Sequence, residues 1–229
     1  MKRHRAWENS PRPLSPRALC RRLRKCYGPV RARQRRPVLD QLIATILSQH
    51  TSDRNSHAAF ERVRDGFRDW EAVRQASVNR IATAIRSAGL SNQKAPRIKA
   101  ILEDIHQRHG SLSLEFLRDW PDEEAMEYLC RMPGVGPKTA ACVLLFACGK
   151  PVLPVDTHVH RVSRRLGLIE ARTSAEKAHT ELARQVPREL VLEFHVQLIR
   201  HGRQVCRARN PICDACVLRD RCLDWLTRA

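Results

Sequence analysis

The chain predicts an all-α fold, and three observations lead there. Apolar residues recur at helical spacing along most of its 229 residues. Strict apolar/polar alternation, the mark of a half-buried strand, is absent. Start and stop signals for helices also recur: Ser52 or Asp53, Ser77 and a Thr173–Glu176 capping box at the beginnings, Gly89 and Gly202 at the ends. The length suits one large or two small domains.

The elements follow in order. Residues 1–16, with Pro11, Pro13 and Pro16, read as a disordered basic arm. No hydrophobic stretch of the kind a secretory leader needs is found there. Arg17 to Tyr27 forms a short helix with Leu19, Leu23 and Cys26 inward, ended by Gly28-Pro29. Pro37 to Ser48 follows, with Leu39, Leu42, Ile43, Ile46 and Leu47 on one face, and the next helix runs to about Arg64. Trp70–Gln75 and Ser77–Ala88 are short helices. Asn92–His109 is a long one, with Ile98, Ile101, Leu102 and Ile105 inward. Glu123–Cys130 leads to a glycine turn, after which a helix from Pro137 to about Ala147 is too apolar to be exposed. Thr157–Leu166 is N-capped by Asp156; the Thr173 box opens a helix to about Val186, and Pro187 opens another that ends at Gly202.

Charge narrows the function. A formal net charge of +18 and a pI near 10.6 point to a polyanionic partner, nucleic acid first. Thirteen Lys or Arg fall in the first 36 residues against the single acid Glu8. No apolar run reaches the ~18 residues of a membrane span.

Two motifs carry chemistry. In the first, Pro133-Gly134-Val135-Gly136 is a turn in which both glycines admit φ > 0 and let a ligand approach the backbone. Pro137 then opens a helix, so amides at a helix N-terminus are offered to phosphate. Lys138 sits in that first turn, where a cation opposes the helix dipole, which suggests a use other than charge. The helix climbs roughly 16 Å at ~1.5 Å per residue. The extended segment Gly149–Val155 can return roughly 23 Å at ~3.3 Å per residue. Asp156 can therefore come back to the level of Lys138. Neither a Walker loop, which needs glycine before the lysine, nor a dinucleotide fingerprint fits this turn.

The second motif is Cys206-x6-Cys213-x2-Cys216-x5-Cys222, four cysteines within seventeen residues. Without a secretory leader a metal site is favoured over disulfides. Zinc is the default for four thiolates, and an iron–sulfur cube takes four as well. Arg203, Arg207 and Arg209 surround the first loop, which can present Arg207 and Arg209 to DNA phosphates. Cys20, Cys26, Cys130, Cys142 and Cys148 lack such spacing, and most read as buried apolar residues.

Met132 to Ala140 and Pro154-Val155-Asp156-Thr157-His158 resemble the helix–hairpin–helix DNA glycosylases, specifically endonuclease III. The cysteine spacing resembles that family's [4Fe–4S] motif in all four positions. The resemblance covers roughly residues 35 to 225. It implies a two-lobed fold: a six-helix domain over 31–150 ending in the hairpin, and a [4Fe–4S] domain built from 17–30 and 151–229. The substrate groove would lie between the lobes. Lys138 and Asp156 would be the catalytic pair, with Cys206, Cys213, Cys216 and Cys222 holding the cluster. In the family's Leu-Ser turn a glutamine fills the gap left by a flipped base; here His50 holds that place and Gln49 stands one earlier, a departure. Leu90 falls where the family inserts an apolar wedge, against a plain alternative as a helix-end contact. Gly134, Val135, Gly136 and His158 complete the DNA-facing set. His158 and His160, two apart, do not share a helix face and are not a metal pair.

The implied activity is base excision of damaged, oxidised pyrimidines with AP lyase action, on double-stranded DNA carrying damaged bases or abasic sites, by a monomer in the cytoplasm near the nucleoid. Two other classes compete. A monofunctional adenine or mismatch glycosylase is disfavoured by Lys138 and by a chain stopping seven residues after Cys222. A non-catalytic hairpin module is disfavoured by Asp156, since an added carboxylate does nothing for phosphate binding.

Overall fold

The computed structural model describes residues 13–31 and 34–228, and every regular element in them is helical. The disordered arm expected over residues 1–16 falls, for residues 1–12, outside the described residues; Pro16 is already helical. In chain order the helices are α1 (Pro16–Tyr27), α2 (Val38–Ser48), α3 (Asp53–Gly66), α4 (Trp70–Gln75), α5 (Val78–Ala84) and α6 (Ser91–His109). Then come α7 (Asp122–Cys130), α8 (Pro137–Val143), α9 (Thr157–Leu166), α10 (Ala175–Gln185), α11 (Val191–Gln204) and α12 (Leu223–Leu226). They form two compact units, one from residues 34–150 and one from the described parts of 1–33 with 151–229.

In the first unit α2 is the central element, packed by α3, α6 and α8. Val38, Leu42, Ile43, Ile46 and Leu47 are wholly buried, and each such side chain contributes ~1.5–3 kcal/mol. Buried Asp40 on the same helix accepts a 2.7 Å bond from Trp70 Nε1 and a longer one from Arg64. Side-chain caps open the next helices: Ser52 accepts from Asn55 N, Asp69 from Ala72 N and Ser77 from Arg80 N.

Several helices depart from the sequence reading: Ser174, not Thr173, caps α10, and α11 starts at Val191 after a 3-10 turn and runs through Gly202 to Gln204. The stretch Ser77–Ala88 is not continuous: Ile85 leaves helical geometry, and a 3-10 turn covers Arg86–Ala88. The break lets Ile81, Ile85 and Ala88 all bury. The hairpin helix stays α only to Val143 and widens into a π turn over Leu144–Cys148, closed by Gly149 at φ 73°.

In the second unit α9 packs on α10, α11 and α12, while α1 lies on α11. Leu19, Leu23, Val159, Val162, Phe194 and Leu198 make its core. Cys26, expected inward, is exposed, and Cys20 is buried in its place. The cause is Tyr27, whose hydroxyl bonds His201 Nδ1 at 3.0 Å and so turns this end of α1 with Tyr27 inward. Cys20, Cys142 and Cys148 are buried as expected. No helix among the described residues is long and apolar enough to cross a membrane.

Candidate nucleic-acid interface

Three turns of the first unit carry the predicted residues. In the hairpin, Gly134 takes φ +70° and Val135 N–H donates to Met132 carbonyl at 3.1 Å. Val135 itself is buried against the core and its amide is used by the turn. It builds the hairpin and is not a phosphate donor, a correction to its place in the DNA-facing set. Gly136 is the N-cap of α8 and no side chain caps the helix, so first-turn amides remain for a ligand. Lys138 is half-buried in that turn.

The second turn follows α2. Gln49 spends both ends of its amide internally: Nε2 donates to Thr139 Oγ1 at 3.1 Å, and Oε1 accepts from Arg97 Nη1 at 3.2 Å. His50, next along, is exposed and left-handed at φ 54°. Of the two candidates for the gap-filling place, His50 is the one presented outward. The third turn presents Leu90, 47% exposed and left-handed at φ 50°. A helix-end contact accounts only for the half of the side chain that is covered. A bulky residue held at positive φ costs ~1–2 kcal/mol, a strain that clusters at functional sites. Among the described residues the non-glycine positions with positive φ are His50, Leu90 and Asn210. Asn210 stands beside Arg209, so each lies in a segment the sequence assigned to DNA.

In the second unit Asp156 caps α9, its Oδ1 accepting from His158 N at 2.9 Å and Val159 N at 2.7 Å. The extended segment before it is held by two histidines no motif announced. His195 Nδ1 bonds Pro154 carbonyl at 2.9 Å, and His179 Nδ1 bonds Leu153 carbonyl at 3.2 Å. A carbonyl only accepts, so both rings carry their proton on Nδ1. Burial pushes the His179 pKa down, keeping it neutral. His158 is half-buried, its pKa also lowered by burial although Asp156 acts the other way. Its Nδ1 lies 3.1 Å from Arg161 Nη2, which can only donate, so the His158 proton sits on Nε2. His160 is structural, bonded to Thr173 carbonyl at 2.8 Å.

The four cysteines line a single pocket with apolar walls from Val205, Pro211, Ile212 and Trp225. The four cysteines are free thiols, and all of them face this one pocket. An iron–sulfur cube suits that arrangement. Burial pushes the Cys216 thiol up to about 11 and that of Cys222 upward, so bound iron must hold them as thiolates. Arg165 Nη1 reaches Cys206 Sγ at 3.4 Å and supplies positive charge beside the ligands. Arg165 also bonds the carbonyls of Arg207 at 2.7 Å and Ala208 at 3.2 Å. That pins the loop backbone, while Arg207 and Arg209 stay exposed.

An all-helical chain with a glycine hairpin, strained exposed turns and a four-thiol pocket defines a class, the DNA-binding helix–hairpin–helix proteins with an iron–sulfur tail. Residues 43–188 match the HhH-GPD superfamily of base excision DNA repair proteins, and residues 206–222 match the iron-sulfur binding domain of endonuclease III. Endonuclease III of Thermotoga maritima is 35% identical over 181 residues, covering 79% of this chain and 80% of that protein. A putative DNA glycosylase of Arabidopsis thaliana is 39% identical over 166 residues; the match covers 72% of this chain and 57% of that relative's length. A solved trapped covalent intermediate of endonuclease III with DNA superposes with a TM-score of 0.80 at 27% identity, covering 94% of this chain and 99% of that one. The chain belongs to the endonuclease III family of base excision repair DNA glycosylases, and its tail is that family's [4Fe–4S] cluster site.

Proposed function

We propose that the protein is a bifunctional DNA glycosylase and AP lyase that removes damaged, chiefly oxidised, pyrimidines from double-stranded DNA, acting as a monomer. The observation that carries the reading is Lys138, a half-buried amine in the first turn of a helix that no side chain caps, next to a glycine hairpin. Phosphate binding alone does not call for it there. The trapped covalent complex of the similar endonuclease III supports the same reading.

A base inside the stack is out of reach, so the nucleotide is first turned out of the duplex. Leu90 enters the opened step and His50 fills the gap, while hairpin amides and Arg207 and Arg209 hold phosphates. The Lys138 amine attacks C1′, the glycosidic bond breaks and the base leaves taking a proton given up by the amine. Asp156 stabilises the positive charge that develops on the sugar. The C1′–O4′ bond then opens, O4′ taking a proton, to give the Schiff base, which loses a C2′ proton as the 3′ phosphate departs by β-elimination. The cluster, when bound, supplies iron–thiolate bonds that close the tail.

Borohydride reduces a Schiff base to a stable adduct, so wild type should be trapped on duplexes carrying thymine glycol or an abasic site. Lys138→Gln should abolish trapping and nicking while retaining DNA binding. Asp156→Asn keeps a good N-cap, so slower base excision with unchanged melting isolates its charge. Efficient trapping by Lys138→Gln would assign the nucleophile elsewhere, and base release without any adduct would make the enzyme monofunctional.

A further inference from the structure

Lys94 is essentially removed from solvent, at 2% exposure. Its ammonium donates to three backbone carbonyls, Leu47 at 2.8 Å, Gln49 at 2.7 Å and Ala88 at 2.9 Å. An ammonium has three N–H donors, and here each has an acceptor; a neutral amine would leave one carbonyl unpaired. A buried charge is expensive, and an apolar side chain of similar volume would ordinarily stabilise the fold better. The charge therefore has a task. Its acceptors lie at the ends of two helical segments, α2 and the 3-10 turn Arg86–Ala88, where carbonyls have no partner within the helix. One residue beyond Gln49 is left-handed His50, and two beyond Ala88 is left-handed Leu90.

Arg97 extends the arrangement. It stands three residues on, on the same face of α6. Its Nη1 donates to Gln49 Oε1, and its side chain lies across Gly134, where a Cβ would come within 2.1 Å of Arg97 Nε. Gln49 in turn holds Thr139, the neighbour of Lys138.

We propose that Lys94 and Arg97 are positioning residues that make α6 a common clamp for the three DNA-facing turns. Lys94 sets the spacing between the His50 and Leu90 backbones, and Arg97 ties that pair to the glycine hairpin. The two residues that enter the duplex thus act as one rigid unit. The inference rests on the reading of His50 and Leu90 given above.

The test compares Lys94→Met and Lys94→Gln with wild type on two substrates. Excision of a paired thymine glycol from a duplex requires the turns, whereas borohydride trapping on a single-stranded abasic oligonucleotide has no stack to open. Duplex excision under single-turnover conditions should fall about tenfold or more in Lys94→Met and less in Lys94→Gln, while trapping on the single strand stays within about twofold of wild type. Lys94→Gln, which keeps two of the three donors, carries the comparison if Lys94→Met does not fold. Parallel loss on both substrates, or unchanged duplex excision, overturns the clamp. A wild type that traps on neither substrate overturns the lyase reading instead, so the two failures are told apart.

Discussion

Replacing Leu90 separates strain from function. The left-handed backbone at φ 50° costs a leucine ~1–2 kcal/mol, and the same cost stays with alanine. At 47% exposure the side chain realises only about half of a leucine's ~1.5–3 kcal/mol burial, so truncation loses ~1 kcal/mol. Leu90→Ala therefore loses ~1 kcal/mol and relieves nothing. Leu90→Gly loses the same contact but relieves the strain, offset by ~0.5–1 kcal/mol for glycine's freer unfolded chain. Glycine should come out more stable than alanine by ~0.5–1 kcal/mol, a gap of ~1–4 °C in Tm for a chain of this size. Position 90 is also the N-cap of α6, where glycine outranks alanine, which adds in the same direction. Urea melts give the stabilities, and single-turnover excision gives the function. Both variants should lose excision on duplex DNA to the same extent, because neither has a wedge. An alanine variant at least as stable as the glycine one would refute the left-handed backbone. Wild-type excision in both would refute the wedge.

At Gly136 a Cβ meets nothing within 4 Å and φ is −95°, so Gly136→Asp introduces charge without a clash. Aspartate is a good N-cap and should hold α8 or stabilise it by up to ~1 kcal/mol, while affinity for an abasic-site duplex falls. Equilibrium binding checks this, and unchanged affinity would leave the hairpin a purely structural turn. The purified protein should be yellow-brown and contain about four iron and four sulfide per chain, lost together in Cys216→Ala. Iron analysis and visible absorbance decide it; a colourless protein holding about one zinc would remove the cluster.

Much of the site was legible along the chain because its chemistry is local. The hairpin, the cysteine spacing, and the caps Ser52, Ser77 and Asp156 each rest on residues within a turn or two of one another. For such features the periods and the turn chemistry of the sequence suffice. Tertiary structure decided what depends on partners distant in the chain. Lys94 fell inside a helix the sequence predicted, yet its burial is set by carbonyls 47, 45 and 6 residues away. The sequence placed His50 at the gap-filling position with Gln49 one residue earlier, and the bonds of that glutamine to Thr139 and Arg97 appear only in the packed structure. Val135 looked like part of an open turn until packing drew it inward, and Tyr27 displaced Cys26 through a bond to a histidine 174 residues on. Local propensity determines which segments become helices and where they end. Which polar groups remain free for DNA is settled only when the helices pack, because buried donors and acceptors must first find each other.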